Sequence, residues 1–181
     1  NWLGSAYVNA SIPIGRLEIL GGLRYEYNDM ELISNTRNNE LSESGRHYKT
    51  GGLFPSATAT FRIDDRQNLR LSYGRSVNRP EFREVSSSVY YDFDLASDVQ
   101  GNTDLRNCYV DNLDLRYELY PSSGETISIA AFYKHFDSPI EWTYTVSGGT
   151  DLVYSYKNAL SADNVGLEMD LRKNLAFIGL D

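Results

Sequence analysis

Apolar and polar side chains alternate along this chain with a period of two. In the stretch from Asn68 to Tyr120, Leu69, Leu71 and Tyr73 share one face and Arg70, Ser72 and Gly74 the other; later Leu113, Leu115, Tyr117 and Leu119 oppose Asp114, Arg116, Glu118 and Tyr120. That period is the mark of strands lying between an apolar and a polar environment. Ala6, Val8, Ala10 and Ile12 begin the series, against Tyr7, Asn9 and Ser11. Leu17, Ile19, Leu23, Tyr25 and Tyr27 then oppose Glu18, Arg24 and Glu26, and Leu53, Ala57, Ala59, Phe61 and Ile63 oppose Ser56, Thr58, Thr60 and Arg62. Pro55 is expected to mark a strand irregularity, because proline donates no ladder bond. Ile127, Ile129, Ala131 and Tyr133 form the sixth apolar stripe, with the strand expected to run past Pro139 into Glu141–Val146 and a hairpin at Ser147-Gly148-Gly149. The chain then returns through Leu152–Tyr156 and an irregular Ser161-Ala162-Asp163 to a last stripe of Val165, Leu167, Met169 and Leu171.

The connections alternate too. Short turns are expected at 13–16, 64–67 and 121–124, and long excursions at 28–47, 78–107 and 137–163. The excursions far exceed the roughly two to five residues of an ordinary hairpin loop. Membrane barrels have this asymmetry, with short turns at one end and long loops at the other. Across the central windows of the stripes the apolar face carries no charge, where a Lys or Arg facing lipid at mid-depth would cost about 2–4 kcal/mol. Tyr25, Tyr27, Phe61, Tyr73, Tyr117 and Tyr133 sit towards the stripe ends, as an interfacial aromatic girdle would. A soluble β-sandwich also alternates, with its apolar face as the core. Whether Leu71, Leu115, Ile129 and Leu167 converge into a dry interior separates the two readings.

Composition narrows the partners. In a chain of 181 residues, a net charge of −8 argues against a nucleic-acid partner, which usually needs a basic face. Its 14 tyrosines, against 2 tryptophans and 7 phenylalanines, suit surfaces where a ring is apolar at one end and wet at the other. Mean hydropathy is −0.45 and no apolar run approaches the length of a transmembrane helix, which leaves a β-barrel open. The single Cys108 forms no internal disulfide. No initiator Met and no signal-peptide pattern is present, and Leu175–Asp181 reads as a strand beginning, so an excised piece of a longer protein is expected.

Catalytic chemistry finds little support. There is no phosphate-binding Gly loop and no HExxH, and the only histidines, His47 in a polar loop and His135 beside Tyr133, have no nucleophile placed near them. Neither a catalytic residue, a metal site nor a cofactor is expected. Asp92, Asp94, Asp98, Asn102 and Asp104 supply oxygen ligands, but Ala96 breaks the EF-hand pattern, which favours ordinary loop chemistry over Ca²⁺. Asn78-Arg79-Pro80-Glu81-Phe82 reads as the entry to a helical turn, capped by Asn78 or Arg79, with Phe82 packing a corner. Arg75, Arg79 and Arg83 are expected to line the mouth of a lumen and to favour anionic or polar ligands, with Tyr90, Tyr91 and Asp92 as further candidate contacts. Arg24, Glu26, Arg62, Arg70, Arg116, Glu118, Glu168, Asp170 and Arg172 fall on the polar parity, either as cross-strand ion pairs or as contacts to a plug.

The runs GRSVNRPEFRE, YYDF, QGNTDL and DNLDLRYELYPSSGE, in that order and spacing, resemble the C-terminal half of the barrel of TonB-dependent outer-membrane receptors of the Bacteroidetes type. The likeness extends less sharply from about Ala6 to Arg172. It implies an all-β fold: an antiparallel up-and-down meander of about seven to eight strands, a partial arc of a transmembrane β-barrel of about 22 strands. It implies one barrel-domain fragment over residues 1–181, without plug domain or signal peptide, in the outer membrane of a Gram-negative cell. Implied partners are outer-membrane lipid, the receptor's own plug domain, TonB, and a small nutrient ligand such as a siderophore or glycan. No enzyme activity is implied. A soluble β-rich binding module, a small self-closed barrel and, with least support, a barrel enzyme are the competing readings.

Overall fold

A computed structural model describes residues 1–32, 46–146 and 152–174. Seven long strands form one antiparallel meander: β1 (Trp2–Ile14), β2 (Leu17–Leu32), β3 (Arg46–Asp64), β4 (Gln67–Asn78), β7 (Cys108–Leu119), β8 (Thr126–Asp137) and β11 (Ser161–Arg172). They are hydrogen-bonded in that order, and among the described residues β1 and β11 each have one neighbour. Between β4 and β7 lie α1 (Phe82–Val85), β5 (Val89–Asp92) and β6 (Ser97–Gln100); between β8 and β11 lie β9 (Ile140–Val146) and β10 (Leu152–Asn158). These four short strands make a second sheet in the order β5-β6-β10-β9.

The faces separate as the alternation requires. Leu71, Leu115, Ile129 and Leu167 do not converge; they are 48, 46, 49 and 81 % exposed. The opposite parity is the enclosed side, where Glu26, Glu118, Ser128 and Ala130 are buried. A soluble sandwich would be the reverse. The outer face is therefore apolar and uncovered, and the inner face is held by cross-strand ion pairs, Arg70 to Glu118 at 3.4 Å, Arg62 to Glu18 at 3.4 Å and Arg116 to Glu168 at 3.8 Å, and by a pair along β2, Arg24 to Glu26 at 2.7 Å. Glu118 also accepts from the Tyr120 hydroxyl at 3.1 Å.

At one end the turns are tight. Ile14 pairs with Leu17 across Gly15-Arg16, with Gly15 at φ +62°, so the strands run closer to the turn than the four-residue 13–16 expectation. Asp64 Oδ1 accepts the Arg66 N–H at 2.8 Å in the next turn. Neighbouring hairpins are stitched there by Arg62 N–H to Arg16 O and Tyr120 N–H to Arg66 O, both 2.8 Å.

Several boundaries depart from the sequence reading. The β2–β3 ladder continues through Leu32↔Arg46, so residues 28–32 and His47 are strand rather than polar loop. His47 there faces Asp29 at 3.5 Å and Glu31 at 3.3 Å. Pro55 keeps an unbroken register with β2, opposite Leu23, and the β4 ladder starts only at Ser56, so its missing donor falls at a ladder's end. The bulge lies instead between Arg62 and Asp64. β8 does not run on past Pro139: Ser138 turns the chain at φ +58° into the second sheet. Residues 161–163 are regular, Ser161 pairing with Asp137 to begin β11. The 147–149 hairpin and the strand expected from 175 to 181 lie outside the described residues.

Candidate functional site

The two long excursions fold together. Val153 and Tyr154 of β10 pair in parallel with Asp98 and Val99 of β6, joining the 79–107 segment to the one between β8 and β11. Val85, Val99, Leu105 and Tyr156 form a buried core, with Tyr90, Ile140 and Tyr154 packed around it. Met30 and Leu32 pack on the same core and share the inner parity of Glu26 on β2, which seats this loop module on the enclosed side of the sheet.

Polar clamps complete it. Asn158 donates to Arg106 O at 3.0 Å and to Ser138 O at 2.7 Å, and its Oδ1 accepts the Arg106 N–H at 2.8 Å. Asn102 donates to Tyr156 O at 2.9 Å, while its own N–H reaches Glu84 O at 2.6 Å. Burial, followed by its bond and proximity to Tyr90 and the nearby charges of Glu84 and Glu81, pushes the Tyr156 hydroxyl well above the usual tyrosine range. Gly101 lies under the end of α1, where any side chain would meet the carbonyls of Ser86, Arg83 and Glu84.

Helix α1 starts later than the sequence suggests. Glu81, not Asn78 or Arg79, is its N-cap; the Glu81 N–H donates to Glu84 Oε2 at 2.8 Å. Phe82 is exposed and Val85 packs the corner instead.

The six candidate ligand contacts divide. Arg83, Tyr90, Tyr91 and Asp92 line one pocket of about 540 Å³, together with Ser86, Ser88, Phe93 and Asp94. The Arg83 guanidinium lies 5.5 Å over the Tyr90 ring. Tyr91 and Phe93 meet edge to face at 5.2 Å. Asp92 holds the β5–β6 turn, its Oδ1 accepting the N–H groups of Asp94 at 2.9 Å and Leu95 at 3.1 Å.

Arg79 and Arg75 lie elsewhere. Arg79 turns back to the inner face and pairs with the buried Glu26 of β2. Arg75 shares the parity of Leu71 and Tyr73 and belongs to an outer-face row that crosses four strands, Arg75↔Asp111↔His135↔Asp163. Arg75 is 3.9 Å from Asp111 and sits 5.1 Å over Tyr109. His135 Nδ1 is 2.8 Å from Asp163. The tyrosines one row below end in this belt: Tyr73 donates to Asp111 at 2.7 Å and Tyr133 to Asp163 at 2.6 Å. A stripe that closes with tyrosine hydroxyls bonded to charges is how an apolar band meets water.

Among the described residues no group of three or more His, Cys, Asp or Glu side chains is placed to hold a metal ion. Asp92 and Asn102 of the acidic run cap turns instead, Asn102 Oδ1 accepting the Asp104 N–H at 2.8 Å. Phe93 and Asn158 were not singled out by the sequence. Phe93 stands in the YYDF run, next to residues that were; nothing local marks Asn158.

Comparison with known proteins places this architecture. The model of the outer membrane protein beta-barrel family matches residues 2–177. No curated protein matches. Among solved structures, the Serratia marcescens hemophore receptor HasR, as a double mutant in complex with its hemophore HasA and heme, superposes with a TM-score of 0.69 at 18 % identity, covering 93 % of this chain and 31 % of that one. A mutant of the ferric enterobactin receptor PfeA from Pseudomonas aeruginosa gives 0.63 at 16 % identity, covering 97 % and 25 %. The siderophore receptor PirA from the same organism gives 0.63 at 14 %, covering 93 % and 38 %. The fold is shared with these proteins, and this chain spans between 25 % and 38 % of their length.

Proposed function

Because this chain belongs to the outer membrane protein beta-barrel family, we propose that it forms part of the barrel wall of a TonB-dependent outer-membrane receptor for nutrient uptake. One observation carries this reading: the apolar outer face is uncovered while the inner face is charged and ion-paired, and the long loops fold over that inner side. Lipid covers such an outer face, and the strand-to-strand ladders satisfy the backbone as a bilayer demands. The receptor's plug domain and TonB are the proposed partners, with Arg70, Arg116 and Glu168 on the surface a plug would meet. The loop module is the proposed ligand face, through Arg83, Tyr90, Tyr91 and Asp92, and the ligand is a small nutrient such as a siderophore or glycan. The solved neighbours are receptors for a heme-carrying hemophore, ferric enterobactin and a siderophore, which supports uptake of a scarce nutrient. The wall itself breaks no bond.

Deletion of the gene in its own host, followed by uptake measurements with nutrients supplied at limiting concentration, tests this. Loss of one energy-dependent uptake activity, restored by the intact gene and abolished by a protonophore, is the expected result. Unchanged uptake of every nutrient tried, or uptake that survives the protonophore, overturns it.

A further inference from the structure

We propose that the pocket between α1 and the β5–β6 turn takes an organic cation, an alkylammonium group, seated on the rings of Tyr91 and Phe93 with the carboxylates of Asp94 and Asp98 beside it. This rests on the receptor reading above and specifies the group that its nutrient presents to the loop module.

The local field selects the sign of charge. Over residues 79–107 six carboxylates stand against three arginines, in a chain of net charge −8. The arginine-lined mouth expected from sequence would suit an anion, yet Arg75 faces Asp111 on the outer surface and Arg79 is held by Glu26. Arg83 remains at the pocket, drawn over the Tyr90 ring at 5.5 Å, and forms no ion pair with Asp92 or Asp94. Asp94 is exposed and, among the described residues, its carboxylate has no partner. Asp98 stands opposite Tyr91 in the β5–β6 ladder and so shares its face. Such a field attracts a cation and repels an anion.

The aromatic surface selects the kind of cation. A metal ion needs several converging oxygen or nitrogen ligands, and among the described residues no group of three or more His, Cys, Asp or Glu is placed to supply them. Ring faces attract an alkylated ammonium instead. Phe93 is 88 % exposed and Tyr91 51 %, an unusual cost for two neighbouring aromatics unless something covers them. They meet at 5.2 Å and 78°, which makes an open corner of two rings. The adjacent ring already shows the chemistry, because Tyr90 carries the Arg83 guanidinium. A neutral group would gain from the rings but not from the field; a cation gains from both. A volume of about 540 Å³ accommodates choline, or the end of a polyamine or of a lysine side chain.

The test uses the full-length protein purified in detergent, with calorimetric titration of choline, spermidine and trilysine, and of 3,3-dimethylbutan-1-ol, the neutral carbon isostere of choline. Binding of at least one of the three cations is expected, and which of them binds best separates a small amine from a basic peptide as the source. Phe93→Ala and Asp94→Asn should each weaken it about fivefold or more, and Phe93→Tyr should retain it. Heat-modifiable migration of each variant confirms that its barrel is folded. Binding of none of the cations overturns the proposal. So does binding of the isostere as tight as that of choline, or cation binding indifferent to both Phe93→Ala and Asp94→Asn. Failure of the receptor reading is read separately, in the energy dependence of uptake in cells.

Discussion

Gly101 lies so close to Ser86 that a Cβ on Gly101 would sit 2.2 Å from the Ser86 carbonyl oxygen. Arg83 O and Glu84 O would follow at 2.5 and 2.9 Å. All three are backbone atoms at the end of α1, so no side chain can swing aside. Gly101→Ala must push α1 away from the Asn102–Glu84 bond and open the core around Val85 and Leu105, a cost of about 1–3 kcal/mol by the usual range for overpacking. The expected outcome in the intact protein is faster proteolytic cleavage within residues 79–107, with heat-modifiable migration of the barrel unchanged. An unaltered cleavage rate would count against this packing.

Asn158 holds three backbone groups at once, two on Arg106 and one on Ser138. At about 0.5–1.5 kcal/mol per bond, Asn158→Ala weakens the union of the two long loops by roughly 1–3 kcal/mol through the two Arg106 bonds, and loses the Ser138 bond within its own loop besides. Hydrogen exchange at the Arg106 amide should quicken markedly. Asn158→Asp keeps that acceptor and loses both donated bonds, so the Arg106 amide should remain better protected than in the alanine variant.

Parity on β7 and β4 makes a sharper demand. Leu115 faces out and Ser72 faces in, so Leu115→Lys places a charge in lipid and Ser72→Lys places one in a polar interior. The first should lower folding stability in vesicles by about 2–4 kcal/mol, the second far less. Equal effects in a urea titration of the full-length protein would contradict the assignment of faces.

Glu125, in the short turn before β8, has its carboxyl held below the ordinary value of 4.5, first by the bond from Lys173, whose Nζ is 2.5 Å away, and then by Ser122 and the Asn174 backbone. A carboxyl whose folded pKa is depressed stabilises the fold above its unfolded value and loses that contribution as pH falls through the folded one. The turn at 121–125 should therefore be equally protected from exchange at pH 7 and pH 6 and loosen below about pH 4.5. Lys173→Met should remove most of that pH dependence; an unchanged profile would show that Lys173 is not its cause.

The period of two by itself determined which side chains face out, where the tight turns fall and which connections are long, because each depends on residues within a few positions of one another. Even the outward place of Arg75 is legible in its parity with Tyr73. Tertiary structure alone decided what the long connections become. Val153 meets Asp98, Asn158 meets Arg106, and Met30 reaches the core around Leu105. These contacts span roughly fifty to seventy-five positions and follow no repeat. Only packing selects such partners, because their worth lies in burying Val99 and Leu105 completely and satisfying the backbone around them, a sum over distant segments that no local window contains.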